Sequence, residues 1–86
     1  MKQFTYTIKD PLGIHARPAG QLAKLAKSFA DTTCTLTKGE KTVKLSQLMM
    51  LMGLAVKKDT EVTVAVEGAA EEEAYNALKA FFEENL

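Results

Sequence analysis

The segment Gly13-Ile14-His15-Ala16-Arg17-Pro18-Ala19 gathers the residues best suited to chemistry in this chain, and His15 is the only histidine in it. Imidazole is nucleophilic when neutral and changes charge near neutral pH, so it can hold a transferable group reversibly. Arg17 carries a planar fork of N–H donors that matches phosphate oxygens, although a solvated surface charge is an equally ordinary use of arginine. A helix opening at His15 would leave backbone N–H groups without intrahelical partners, and its dipole would add positive potential there. Such an end is a site for an anion, a phosphoryl group included. The plainer alternative is a surface histidine that caps the helix. Pro18 suits a first turn, where its missing N–H would be unpaired anyway. It also disfavours helical geometry at Arg17 and blurs the helix start by a residue or two.

Little else in the chain competes with this segment. Cys34 is the only cysteine, so no internal disulfide is expected and a reducing cytoplasm is implied. One histidine with one cysteine makes a poor metal site, and no Cys-x-x-Cys pair occurs. No glycine-rich nucleotide loop or second catalytic base accompanies His15. The expectation is a protein without cofactor, without bound metal and without turnover chemistry of its own.

The elements that must position His15 follow from periodicity. Phe4, Tyr6 and Ile8 alternate with polar residues and predict a half-buried strand. Asp10-Pro11-Leu12-Gly13 supplies a turn. Over residues 16–30, Ala19, Leu22, Ala23, Ala26 and Phe29 recur at helical spacing. Residues 32–37 and 41–45 form a hairpin about Lys38-Gly39-Glu40, with Cys34, Leu36, Val43 and Leu45 inward. Residues 46–52 predict a short helix that turns Leu51 and Leu48 toward the core and is closed by Gly53. In residues 61–67, Val62, Val64 and Val66 face one way. After Gly68, Glu71, Glu72 and Glu73 complement the start of a final helix whose buried side is Ala74, Ala77, Leu78 and Phe81. The order β-α-β-β-α-β-α predicts an α+β, two-layer open-faced sandwich, with four antiparallel strands covered by three helices on one face. Strand order does not follow from these patterns.

The chain of 86 residues fits one domain over 1–86, with a modest core and no deep cleft. Its formal net charge is zero, which gives little support to nucleic-acid binding. The charges are nonetheless divided: residues 1–58 hold ten Lys and Arg against three acids, and residues 59–86 hold one lysine against eight. A basic front half can steer an acidic protein partner. No apolar run approaches the ~18 residues of a membrane helix, and the start lacks an apolar signal core, so neither membrane insertion nor export is expected.

The segment from Gly13 to Ala19 resembles the active-site signature of the HPr family, the phosphocarriers of the bacterial phosphoenolpyruvate:sugar phosphotransferase system. The likeness covers essentially the whole chain, including Lys41-Thr42-Val43-Lys44-Leu45 before a Met-rich short helix. It implies that His15 accepts a phosphoryl group through Nδ1 from enzyme I, itself phosphorylated by phosphoenolpyruvate. His15 would then pass the group to A-type enzyme II components for sugar uptake. Arg17 and the backbone N–H groups of Ala16 and Arg17 would hold the phosphoryl oxygens. A regulatory HPr-like protein that binds partners outside sugar transport is the alternative within the same family. Nothing demands more than a monomer.

The resemblance also assigns a partner surface. Leu48, Met49 and Met52 occupy the family's apolar docking positions, with Lys24 and Lys27 available to acidic partners. Exposed methionine suits a surface that must fit several proteins in turn. In many relatives a serine opening this helix is the target of HPr kinase/phosphorylase. Aligned on Val43, Leu45 and Leu48, Gln47 falls in that slot and Ser46 one residue early, so Ser46 is the candidate regulatory phosphosite or else the helix N-cap. Met50 stands where the family has a small residue.

Overall fold

A computed structural model describes residues 1–29 and 31–86. Its elements are β1 (Lys2–Thr7), α1 (Ala16–Lys27), β2 (Thr32–Lys38), β3 (Lys41–Lys44), α2 (Leu48–Gly53), β4 (Glu61–Gly68) and α3 (Glu71–Asn85). The four strands form one antiparallel sheet in the order β1-β4-β2-β3, with the three helices on one face. The expected α+β sandwich is therefore present, and the strand order is now fixed.

Register explains why one face must be covered. Phe4 pairs with Val64, Val64 with Leu36, and Leu36 with Val43, which lays one apolar row across all four strands. The adjacent row reads Thr5, Thr63, Thr37 and Thr42, and its last two hydroxyls hydrogen-bond at 2.8 Å. Side chains alternate between faces along a strand, so the first row points to the helices and the second to the open face.

The helices seal the apolar row. Ala19, Leu22, Ala23 and Ala26 of α1 are buried as the spacing predicts, while Phe29, beyond the helix, is only half-buried. Helix α1 stops at Lys27, earlier than the expected 30: the Ser28 hydroxyl bonds the Leu25 carbonyl at 2.6 Å, and Asp31 turns to a φ of 54° to enter β2. The expected final helical residue, Ala30, lies outside the described residues.

In α3 the buried stripe is Ala74, Leu78 and Phe82 rather than one ending at Phe81. A four-residue step keeps these side chains nearly in line over about two turns. Phe82 then meets Phe4 and Tyr6 edge-on, with ring centroids 5.7 and 5.6 Å apart. At the start of α3, the Met1 α-amino group and the Gly68 N–H hold the Glu71 carboxyl below its ordinary range.

Helix α2 also departs from expectation. β3 is extended by Leu45, whose N–H donates to the Cys34 carbonyl at 2.8 Å, and a turn follows in which Gln47 N–H donates to Lys44 O at 3.0 Å. Helical geometry therefore begins only at Leu48, with Gln47 as N-cap, and Ser46 does not cap the helix. Leu51 is buried, but Leu48 is 37% exposed and is not part of the core. The far end is held from β2: the Lys38 ammonium donates to the carbonyls of Leu54 at 2.9 Å and Ala55 at 3.2 Å. A cation at this end satisfies carbonyls that the helix leaves open and complements its dipole.

Candidate functional site

The loop from β1 to α1 is built to present His15. Pro11 fixes one φ, the Asp10 carboxylate accepts the Leu12 N–H at 2.8 Å, and the Asp10 carbonyl accepts the Gly13 N–H at 2.9 Å. The N–H groups of Lys9 and Asp10 both donate to the Leu86 oxygen, so the start of this loop is tied to the end of α3. Gly13 has a φ of +67°, and a Cβ there would lie 2.2 Å from the Val56 carbonyl oxygen. Only glycine meets both conditions. Ile14 is buried and donates its N–H to the same carbonyl at 3.0 Å.

His15 follows as the N-cap of α1, with extended φ and ψ of −103° and −175°. Its carbonyl accepts the Ala19 N–H at 2.9 Å, while its half-buried side chain makes no cap hydrogen bond. An N-cap side chain ordinarily accepts from the second or third helical N–H. Here the third helical residue is Pro18, which has no N–H to give. The Ala16 and Arg17 N–H groups find no acceptor among the described residues and remain at the positive end of a twelve-residue helix. Arg17 is exposed and, among the described residues, carries no hydrogen bond or ion pair, so its guanidinium is free to turn toward an anion beside the ring.

A depression of about 260 Å³ brings His15, Arg17 and Pro18 together with Asp10, Gln21 and Asn85. The last three were missed in the sequence. Gln21 lies one helical turn beyond Arg17, a spacing that could have revealed it. Asp10 sits in the turn motif, where one oxygen of its carboxylate accepts the Leu12 amide. Asn85 reaches the site only because α3 ends there, and no local pattern signals that.

The apolar surface lies beside this site. Helices α1 and α2 pack against each other, and Leu48, Met49 and Met52 are exposed, Met49 the most at 81%. About 100° separates successive residues on a helix, so Met50 and Met52 fall on opposite flanks of buried Leu51. Leu48 and Met52 share one flank. Met50 is on the other, where it lines an apolar hollow of about 370 Å³ with Val43, Leu54 and Lys41. Lys24 and Lys27 are exposed on α1, as required of groups available to a partner. Ser46 is half-buried and lines a separate depression with Thr33, Cys34 and Lys44.

Charge is divided among the elements as well as along the sequence. Lys24, Lys27, Lys41, Lys44, Lys57 and Lys58 are exposed on α1, β3 and the segment after α2; the acids concentrate on β4 and α3. Among the described residues no helix is long and apolar enough to cross a membrane.

Comparison with known proteins decides what this arrangement belongs to. Residues 2–84 match the family model described as the PTS HPr component phosphorylation site. The chain belongs to the HPr family. A phosphocarrier protein HPr from Lysinibacillus sphaericus is 45% identical over 78 residues, covering 91% of this chain and 88% of that one. A crystal structure of an HPr from Thermoanaerobacter tengcongensis superposes with a TM-score of 0.90 at 36% identity, over 96% of this chain and 92% of that one. A structure described as an HPr dimer from the same organism gives 0.76 at 36% identity, over 98% and 95%. Members of the HPr family are phosphocarriers of the phosphotransferase system, known here from bacterial relatives, and not enzymes by family.

Proposed function

We propose that this HPr-family chain accepts a phosphoryl group on His15 Nδ1 from phosphorylated enzyme I and passes it to A-type enzyme II components, acting as a cytoplasmic monomer. The observation that carries this reading is the unengaged His15 side chain at the opening of α1, beside two backbone N–H groups that lack acceptors.

The chemistry needs only those groups. The neutral imidazole nitrogen attacks phosphorus as the donor's own phosphorus–nitrogen bond breaks, so one such bond replaces another. The Ala16 and Arg17 N–H groups and the Arg17 guanidinium hold the oxygens whose charge grows in transfer. Pro18 adds no N–H of its own, so the Ala16 and Arg17 N–H groups are the backbone donors that the first turn offers. The same contacts hold the phosphorylated product until an acceptor arrives, and positioning supplies the rest. Leu48, Met49 and Met52 form the docking surface beside the ring, with Lys24 and Lys27 steering acidic partners. Ser46 is a weaker candidate for regulation by HPr kinase/phosphorylase, because Gln47 occupies the N-cap and Ser46 is half-buried.

The test is incubation with enzyme I and phosphoenolpyruvate, followed by intact mass and mapping of the acid-labile adduct. One phosphoryl group on His15, absent from His15→Ala, is expected. If an active control HPr is labelled and this protein is not, the carrier role fails and a partner-binding role outside sugar transport takes its place.

A further inference from the structure

We propose that Leu12 is an apolar anchor through which the phosphoryl-donating protein recognises this chain, extending the docking surface to the loop that precedes the histidine. The inference rests on the phosphocarrier reading above and names a specificity residue for it.

Leu12 is 71% exposed, and apart from Met1 it is the one large exposed apolar side chain among the described residues that is not on α2. Single exposed apolar residues ordinarily call for no explanation. Leu12 differs in how it is held. Its N–H is bonded to the Asp10 carboxylate at 2.8 Å, the next N–H to the Asp10 carbonyl at 2.9 Å, and Pro11 restrains the residue before it. Gly13 then packs directly on Val56 and Lys57, the segment that leaves α2. The leucine therefore stands on a fixed turn, and burying it against a partner requires little ordering of backbone.

Its place follows from chain geometry. Leu12 and His15 are three positions apart, so their Cα atoms are at most about 11 Å from each other. A partner that brings its own phosphorylated group to His15 must cover the surface around it. A standard interface takes about 800 Å² from each partner, equivalent to a disc about 16 Å in radius. An exposed side chain at the site's own loop falls inside that footprint. Lys9 and Lys57, both exposed, border the turn. The donor surface this fits is an apolar depression bordered by carboxylates that would face Lys9 and Lys57.

The experiment measures initial rates of phosphoryl transfer from phospho-enzyme I to wild type, Leu12→Gln and Leu12→Met over a range of acceptor concentrations, with thermal melts as a check of folding. Glutamine keeps the size of leucine and removes its apolar character; methionine keeps both. The expected result is a rise in apparent KM of about tenfold for Leu12→Gln at unchanged maximal rate, with Leu12→Met close to wild type. An unchanged KM in Leu12→Gln overturns the anchor. A fall in maximal rate at constant KM also overturns it and makes Leu12 a residue that positions the histidine loop. If wild type itself is not phosphorylated, the carrier reading fails first and the anchor with it, an outcome distinct from a defect confined to the variants.

Discussion

The amide of Ile14 donates to the Val56 carbonyl at 3.0 Å, the same oxygen that approaches Gly13 too closely for any side chain there. This places the residues before His15 under the control of the segment that leaves α2. His15 and α2 are thereby held in one frame, although more than thirty residues separate them in sequence.

Gly13→Ala should therefore damage stability and function together. The new Cβ would lie 2.2 Å from Val56 O and 2.7 Å from Lys57 Cα at a φ of +67°. Left-handed strain and overpacking together are expected to cost about 2–4 kcal/mol by urea denaturation, with slower phosphoryl acceptance in the folded fraction. Gly39→Ala is the control. Gly39 has a similar φ of +61° but nothing within 4 Å of its Cβ position, so only the strain of about 1–2 kcal/mol should remain, with transfer unaffected.

Arg17→Ala should separate chemistry from folding. Arg17 is exposed and its guanidinium holds no partner among the described residues, so stability should change by less than about 0.5 kcal/mol. Loss of a charged donor to the moving phosphoryl group is expected to slow transfer on the order of 100-fold, read as the initial rate of adduct formation. Arg17→Lys should recover only part of that rate, since a point charge cannot bridge two oxygens. A full-rate alanine variant would remove Arg17 from the mechanism.

Much of this was legible in the sequence, and the exceptions have physical causes. Element order and the inward faces follow from short-range periodicity, as with Val62, Val64 and Val66. The neighbour relation between β1 and β4 does not, because Phe4 meets Val64 only through long-range pairing. Leu48 was expected inside and lies outside, because the turn through Ser46 delays α2 and one short helix can bury little beyond Leu51. Phe82 was passed over for Phe81, since adjacent aromatics leave the helical phase undecided until Phe4 and Tyr6 select one. His15, Ala16 and Arg17 occupy the places their spacing implied. Asn85 could not have been added, because only the packing of α3 brings it near.

The two flanks of α2 should respond differently to the same change. Met52 shares its flank with Leu48, whereas Met50 lines the hollow against Val43 and Lys41. Met52→Ser is expected to raise the apparent KM for phosphoryl transfer by about 3–10-fold, and Met50→Ser to leave it within about twofold. Both side chains are exposed, at 40% and 56%, so neither variant should lose much stability. Equal effects from the two would mean that partners grip α2 across its crest and not along the Leu48–Met52 flank.

Cys34 provides a pH test of the core. It is 4% exposed on β2, and burial pushes its thiol above the ordinary cysteine range. The folded state then favours the protonated form, while the unfolded chain ionises near the usual pKa of about 8.5. Stability from this group is intact below that pH and declines as pH rises toward the folded value. Urea denaturation from pH 7 to 10 should show wild type losing stability relative to Cys34→Ala above about pH 8.5, with a constant difference below it. Iodoacetamide at pH 8 should label Cys34 readily in urea and slowly in the native protein. Rapid native labelling together with a pH-independent difference would mean that β2 opens far more often than its place between β4 and β3 allows.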